Sequence, residues 1–432
     1  MKDKEVLKII KAEKERQNSI LRMIPSECQV SSDVMEALGS VFTQKYAEGY
    51  PHGDNNPNGF RYYQGQENTD KIENLCIERA REAFNLPEGW HVNVQALSGS
   101  PANIAVFTAI CNIGDKVIGL GLNSGGHLTH GHKVNFTGKN YEVHQFDVDP
   151  KTEFIDYDSL EAFVCDIKPK MMIIGTTAYS RALDWPRLSV IAYKAKCILV
   201  ADVAHVAGLI VGGAYPSPIP YADVVTMTTH KTLRGPRGAI ILCKPDLAKQ
   251  IDRAVFPGNS GGPHMNNIAG IAVALKEAMS EEFKNYAHQT VKNAQKLADL
   301  LQHIYGFRVV SGGTDSHLLV VDVTNKNIDG KTAAVALEKA GIECNYSTIP
   351  YDTRPPANPS GIRLGTPILT TIGMTEDDMV IVAAYINKAL DNYDREDALM
   401  VIRHDIADWV TKIRERDINK NKSDPRQMSL PF

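Results

Sequence analysis

Lys231 follows an apolar, β-branched run and precedes a Gly/Pro/Arg loop in the stretch Val224–Ile240, VVTMTTHKTLRGPRGAI. A lysine delivered at the end of a buried strand has the chemistry of imine formation. Burial disfavours its ammonium form, lowers its pKa and frees the amine to attack an aldehyde. Thr228, Thr229 and His230 stand beside it as hydrogen-bonding and stacking partners, and Gly235 and Gly238 let the chain turn on either side of Pro236. A surface charge is the commoner role of a lysine, so these flanking residues carry the reading. Together they suggest a lysine that binds pyridoxal phosphate (PLP).

Three other segments supply what such a cofactor needs. The run CILVADVAH ends a strand in Asp202, with His205 three residues on. A carboxylate there is costly without a cationic partner. The pyridine nitrogen of PLP is one, and an ionised Asp keeps it protonated so that the ring draws electrons. Ser98-Gly99-Ser100-Pro101 lies between a strand and a helix. Pro suits a first helical turn, and the N–H groups of a helix start hold phosphate. The run Asn123–Gly138, NSGGHLTHGHKVNFTG, has three histidines and four glycines but no acidic or cysteine ligand. That composition speaks against a metal site and for His127 as a flat ring stacked on a cofactor. Arg363 in SGIRLGTP offers a forked guanidinium suited to the carboxylate of an amino acid, unless it serves a structural ion pair.

The elements that must position these residues read as an α/β chain. Short apolar runs (VNVQAL, KVIGLGL, KMMIIGTT, CILVADVA, DVVTMTT, GAIILCK) alternate with helical patterns from about residue 92. Alternation of this kind implies a mostly parallel central sheet with helices on both faces. Beyond residue 266 come long helical stretches, then LLVVDV, a helix at TAAVALEKA and a last helical region, which suggest a smaller α+β domain. The expected division is an N-terminal helical arm over 1–45, a large PLP-binding α/β domain over 46–285 and a small C-terminal domain over 286–432. Residues 50–60, YPHGDNNPNGF, form a long loop, and the polar end NKNKSDPRQ a loose tail.

At 432 residues the chain exceeds what one core usually covers. A net charge of −4 leaves no nucleic-acid footprint. The seven cysteines are scattered and lack C-x-x-C spacing, which points to reduced thiols rather than a disulfide framework or zinc site. No signal peptide and no membrane-length apolar run is present, so a cytoplasmic protein without membrane or nucleic-acid partners is expected.

Taken together, RQNSILRMIPSE, YAEGYP, RYYQGQE, SGSPAN, GGHLTHG, VADVAHVAGL, TTHKTLRGPRG, VFPGNSGGP and SGIRLGTP resemble the serine hydroxymethyltransferase family. The resemblance covers most of the chain. It implies the PLP-dependent transferase fold of type I, like that of aspartate aminotransferase. The implied reaction is reversible transfer of the serine hydroxymethyl group to tetrahydrofolate, giving glycine and 5,10-methylenetetrahydrofolate. It further implies that Lys231 carries PLP, with His230 beside it, and that Asp202 pairs with the ring nitrogen. His127 would stack on the ring, and His205 and Thr177 would lie near it. Ser98, Gly99 and Ser100 would hold the phosphate, joined by Gly262 of a neighbouring subunit. Ser26 and Arg363 would grip the substrate carboxylate. Glu48 would be the acid–base group at the serine hydroxyl, with Tyr46 and Tyr63 beside it, all reaching in from the neighbour. Tetrahydrofolate would lie against Tyr62, Leu122, Gly126, His127, Leu128 and Ser347. A homodimer, or a dimer of dimers, with shared active sites follows. The chain departs from the family pattern at Cys28 (usually Asn), in its longer 51–60 segment, at Thr177 (commonly Ser) and at Ser347 (usually Asn). A folate-independent PLP aldolase or transaldolase acting on β-hydroxy amino acids is the alternative on the same scaffold.

Overall fold

The computed structural model describes residues 1–53 and 56–422, with side chains as far as Arg416. Two compact units divide the chain: Cys28–His288, and Met1–Glu27 together with the chain from Gln289 onward.

The larger unit is built on seven strands: β1 (His91–Asn93), β2 (Lys116–Leu120), β3 (Glu142–Phe146), β4 (Met171–Gly175), β5 (Ile198–Asp202), β6 (Val224–Thr228) and β7 (Ala239–Cys243). Their order across the sheet is β1-β7-β6-β5-β4-β2-β3. Neighbours from β6 to β3 run parallel, and β7 is antiparallel to both β6 and β1. Strands β4, β6 and β7 are buried along their whole length. Both faces of these strands are covered, which is why they read as unbroken apolar runs. Phe107, Val117, Ile173, Val200, Val224 and Ile241 belong to one core cluster that joins the sheet to the helix Gly99–Ile110. The register sets Gly175, Asp202 and Thr226 side by side, so β4, β5 and β6 end close together. Ligands of parallel sheets collect at such carboxyl ends.

Two details of this sheet differ from the sequence reading. VNVQAL forms a strand only as far as Asn93, because the Asn93 side chain accepts the Gln95 N–H at 3.0 Å and bends the chain out of the ladder. Strand β3 carries no apolar run to announce it. It is a sheet edge, half-exposed and rich in polar residues.

The smaller unit holds a four-stranded antiparallel sheet ordered Asn345–Ser347, Gly361–Gly365, Leu318–Asp322 and Arg308–Val309. Helices Gly330–Lys339 and Glu376–Asp391 contribute Leu337, Met379 and Ile386 to its core. The first residues do not form a separate arm over 1–45. Leu21–Arg22 pairs in parallel with Ile342–Glu343, the Met23 N–H donates to Glu343 O at 2.7 Å, and the Gly365 N–H donates to Met23 O at 2.8 Å. That pairing draws residues 1–27 into the smaller unit. Helix Ser32–Leu38 belongs instead to the larger one, where Asn266 Nδ2 donates to Leu38 O at 3.1 Å. The units change over within the continuous helix Glu281–Asp299, at residues 288 and 289, where the chain offers no turn signal to mark it. Helix Glu396–Lys422 takes in the first four residues of the expected tail; the rest lies outside the described residues, as do Asp54 and Asn55 of the 51–60 loop. Among the described residues no helix is long and apolar enough to cross a membrane.

Candidate active site

Lys231 emerges three residues beyond β6 in a turn closed by its own backbone. The Thr229 N–H donates to Gly238 O at 3.1 Å, the Gly235 N–H to Thr229 O at 2.7 Å, and Thr229 Oγ1 to Pro236 O at 2.6 Å. Thr232 ties this turn to the next loop, donating to His205 O at 2.8 Å and accepting the Gly208 N–H at 3.1 Å. The result is a half-buried amine on a fixed backbone at the sheet's carboxyl edge.

A cavity of about 170 Å³ opens there. Its lining includes Ser98, Gly99, Ser100, His127, Thr177, Asp202, His205, His230 and Lys231. All nine were singled out in the sequence. Thr228, named beside Lys231 in the sequence, lines the cavity too, as do Asn103, His130, Thr176 and Arg237, which were not singled out. Burial, with the positive charges of Arg237 and Lys231, pushes His230 down to about 4, so its ring is neutral at neutral pH.

The residues present fit PLP. Ser98 is the N-cap of the helix Gly99–Ile110, yet its side chain caps nothing, which leaves the first-turn N–H groups for an anion. A Cβ on Gly99 would stand 2.7 Å from Thr228 Cγ2, so only glycine lets the helix start sit against the end of β6. Asp202 supplies a carboxylate in the same cavity. Its burial alone would raise its pKa, but hydrogen bonds from His130 (3.0 Å) and Asn103 (2.7 Å) outweigh that and hold it far below the usual carboxylate range. His230 Nδ1 is a buried polar atom with no protein partner.

The His127 loop is held from below. Thr177 Oγ1 donates to Gly126 O at 2.7 Å, and a Cβ on Gly126 would fall 2.0 Å from Leu120 O. Leu122 and Leu128 flank this close approach, Leu128 on the surface. His127, His130 and Asp202 bring ligand-type atoms within 4.8 Å of one another. The fold thus supplies the acidic group that the histidine-rich run lacks. Here those atoms bond within the protein: His130 to Asp202, and His127 Nδ1 to Thr129.

Glu48, Tyr46, Tyr62, Tyr63 and Gly262 are brought together elsewhere on the same unit. Tyr63 donates its hydroxyl to Glu48 Oε2 at 2.7 Å, and that bond raises the Tyr63 pKa. The Tyr46 ring meets Tyr63 edge-on at 5.5 Å and covers Gly262. Glu48 and Tyr62 line a second cavity, of about 530 Å³, with Phe256, Pro257, Asn259, Ser260 and Gly261. Tyr46 is 60% and Tyr62 59% exposed, so both rings face outward.

Arg61, overlooked in the sequence, pins the backbone on both sides of Glu48. Its guanidinium donates to Ala47 O (2.7 Å) and Gly49 O (2.9 Å) while bonding Asp70 (2.9 Å) and the buried Glu73 (2.7 Å). Glu73→Ala would remove the most buried of these anions. It is expected to destabilise the protein by about 3 kcal/mol, read as a lower urea midpoint. An unchanged midpoint would show that the Arg61–Glu73 pair does not hold the segment.

Arg363, Ser26 and Ser347 lie in the smaller unit. Arg363 sits mid-strand between Val320 and Asn345 and donates from Nε to Asn345 Oδ1 at 3.1 Å. Burial pushes its guanidinium down to about 10, the environment of a cation that gains from an anion. A Cβ on Gly365 would stand 2.6 Å from Pro25, which places Ser26 beside the end of the same strand. Ser347 donates to Thr348 O at 3.1 Å.

Residues 1–386 match the serine hydroxymethyltransferase family. A serine hydroxymethyltransferase of Desulfotalea psychrophila is 47% identical over 404 residues, spanning 94% of this chain and 92% of that protein. The chain belongs to the serine hydroxymethyltransferase family, PLP-dependent enzymes of fold type I that use tetrahydrofolate as co-substrate.

Proposed function

We propose that this chain transfers the hydroxymethyl group of serine to tetrahydrofolate, reversibly, giving glycine and 5,10-methylenetetrahydrofolate, and does so as a homodimer with shared sites. The observation that carries the reading is the convergence of Lys231, Asp202 and the Ser98–Ser100 turn on one cavity. PLP, when bound, supplies an electron sink for the bonds broken at the serine α-carbon.

The chain's own groups do the rest. Lys231 would hold the cofactor through its side-chain amine. Ser98, Gly99 and Ser100 would take the phosphate, Asp202 would keep the ring nitrogen protonated, and His127 would cover the ring. Thr177 and His205 border it, and His230, neutral, stands beside Lys231. Arg363 and Ser26 bind the substrate carboxylate. Glu48 trades a proton at the serine hydroxyl, a task that suits a carboxyl hydrogen-bonded to a phenol. Tyr46 and Tyr63 position it. Tyr62, Leu122, Gly126, Leu128 and Ser347 line the folate.

Glu48 and Tyr62 line a cavity other than that of Lys231, and Tyr46 and Tyr63 are exposed beside Glu48, which supports donation of this cluster to a second copy of the chain. Free cysteines throughout support a cytoplasmic setting.

Purified protein supplied with serine is expected to form glycine at a rate that depends on tetrahydrofolate. Glycine formation indifferent to folate would replace this reading with that of a folate-independent aldolase. Arg363→Lys keeps a charge but loses the fork. Its KM for serine should rise by about 10²-fold, the loss of one or two charged hydrogen bonds. The cofactor absorbance should stay unchanged. A normal KM would remove Arg363 from the carboxylate site.

A further inference from the structure

We infer that Asn103 and Thr129 are positioning residues that set the tautomer of His127 and the ionised state of Asp202 through one hydrogen-bond chain. The inference rests on the reading that His127 and Asp202 face PLP.

The direction of every bond in the chain is determined. Thr226 Oγ1 donates to Asn103 Oδ1 at 2.7 Å, which fixes the orientation of the amide. Asn103 Nδ2 then donates one hydrogen to Asp202 Oδ2 at 2.7 Å and the other to Thr129 Oγ1 at 2.8 Å. Thr129 Oγ1 also lies 2.7 Å from His127 Nδ1, and it gives that nitrogen its own hydrogen because the nitrogen already accepts from the Thr129 backbone N–H at 3.2 Å. Facing two donors, Nδ1 must present a lone pair, and the ring proton of His127 sits on Nε2.

The second arm closes the loop. The His127 backbone N–H donates to His130 Nδ1 at 3.2 Å, so His130 carries its proton on Nε2 and donates it to Asp202 Oδ2 at 3.0 Å. Oδ2 therefore receives two donors, while Oδ1 takes the Ala204 N–H at 3.0 Å. The cofactor nitrogen is left to Oδ1. Asn103, Thr129, His130 and Thr226 are all buried, so water cannot replace a lost member. The ring above the cofactor and the carboxylate at its nitrogen are thus wired to one another without touching.

Thr129→Val keeps the β-branched shape and removes the hydroxyl; Thr129→Ser restores it. In the holoenzyme without substrate, Thr129→Val should shift the midpoint of the pH titration of the cofactor absorbance by about one unit or more. PLP should also bind about tenfold more weakly, in keeping with the loss of a supporting hydrogen bond. Thr129→Ser should recover both. A Thr129→Val protein with wild-type titration and PLP affinity would overturn the inference. If that variant does not fold, ¹⁵N spectra of histidine-labelled wild-type protein decide, with His127 assigned through His127→Asn. A neutral Nε2–H ring between pH 6 and 8 is expected, and an Nδ1–H or cationic ring would overturn it. These spectra can be taken with and without PLP, so a failure to cleave serine would sink the proposed function while leaving the tautomer result to stand or fall separately.

Discussion

Lys231→Ala abolishes the visible absorbance of lysine-bound PLP and lowers serine cleavage by a factor on the order of 10⁴ or more, the scale seen when a covalent catalyst loses its nucleophile. The loss follows from position rather than from lysine chemistry in general. Lys231 is set by the closed turn from Thr229 to Gly238, in the cavity that also holds Asp202 and the phosphate turn. The other lysines of the larger unit do not line that cavity. PLP that still associates with the variant would be held by the Ser98–Ser100 turn and Asp202 alone, and would come away on gel filtration. A band of unchanged position and intensity would show that another lysine carries the cofactor.

Glu48→Gln separates the two halves of the chemistry. The amide keeps the size of the carboxyl and can still accept the Tyr63 hydroxyl, which donates to Glu48 at 2.7 Å. It cannot take up and return a proton. The variant should bind PLP and glycine as the wild type does, yet lose folate-dependent turnover by about 10²- to 10⁴-fold, the usual contribution of a positioned acid–base group. Spectroscopic titration with glycine and steady-state assay with serine and tetrahydrofolate measure the two parts. Turnover near the wild-type kcat would remove Glu48 from the mechanism.

The legible parts of this molecule are those where one short segment holds the whole signal. Strands β4, β6 and β7 are buried throughout and write themselves as apolar runs, and the Lys231 turn carries its own glycines. Asp202 is legible as a charge at the end of such a run. Its partners are not: His130 lies 72 residues away and Asn103 lies 99, and nothing local in either helix or loop marks the meeting. Arg61 escaped for the same reason, since its role depends on Asp70, Glu73 and two backbone carbonyls. Strand β3 escaped because an exposed edge has no core to write a pattern. The N-terminal residues read as an arm because Leu21–Arg22 finds its partner only at Ile342–Glu343, across most of the chain. The unit boundary runs through an unbroken helix, where periodicity does not change.

The Lys231 and Glu48 clusters line different cavities on one chain, and the proposed function requires them to meet across a dimer. Mixing the two variants tests this most directly. Lys231→Ala and Glu48→Gln each keep about a hundredth of wild-type turnover or less alone, so they are unfolded together, refolded at equal concentration and assayed for tetrahydrofolate-dependent glycine formation. If each site takes its lysine from one subunit and its glutamate from the other, half of the refolded dimers are hybrids. Each hybrid regains one intact site, and about a quarter of wild-type activity returns. If both residues act within one subunit, no hybrid contains an intact site, and a mixture as inactive as its components would contradict the account.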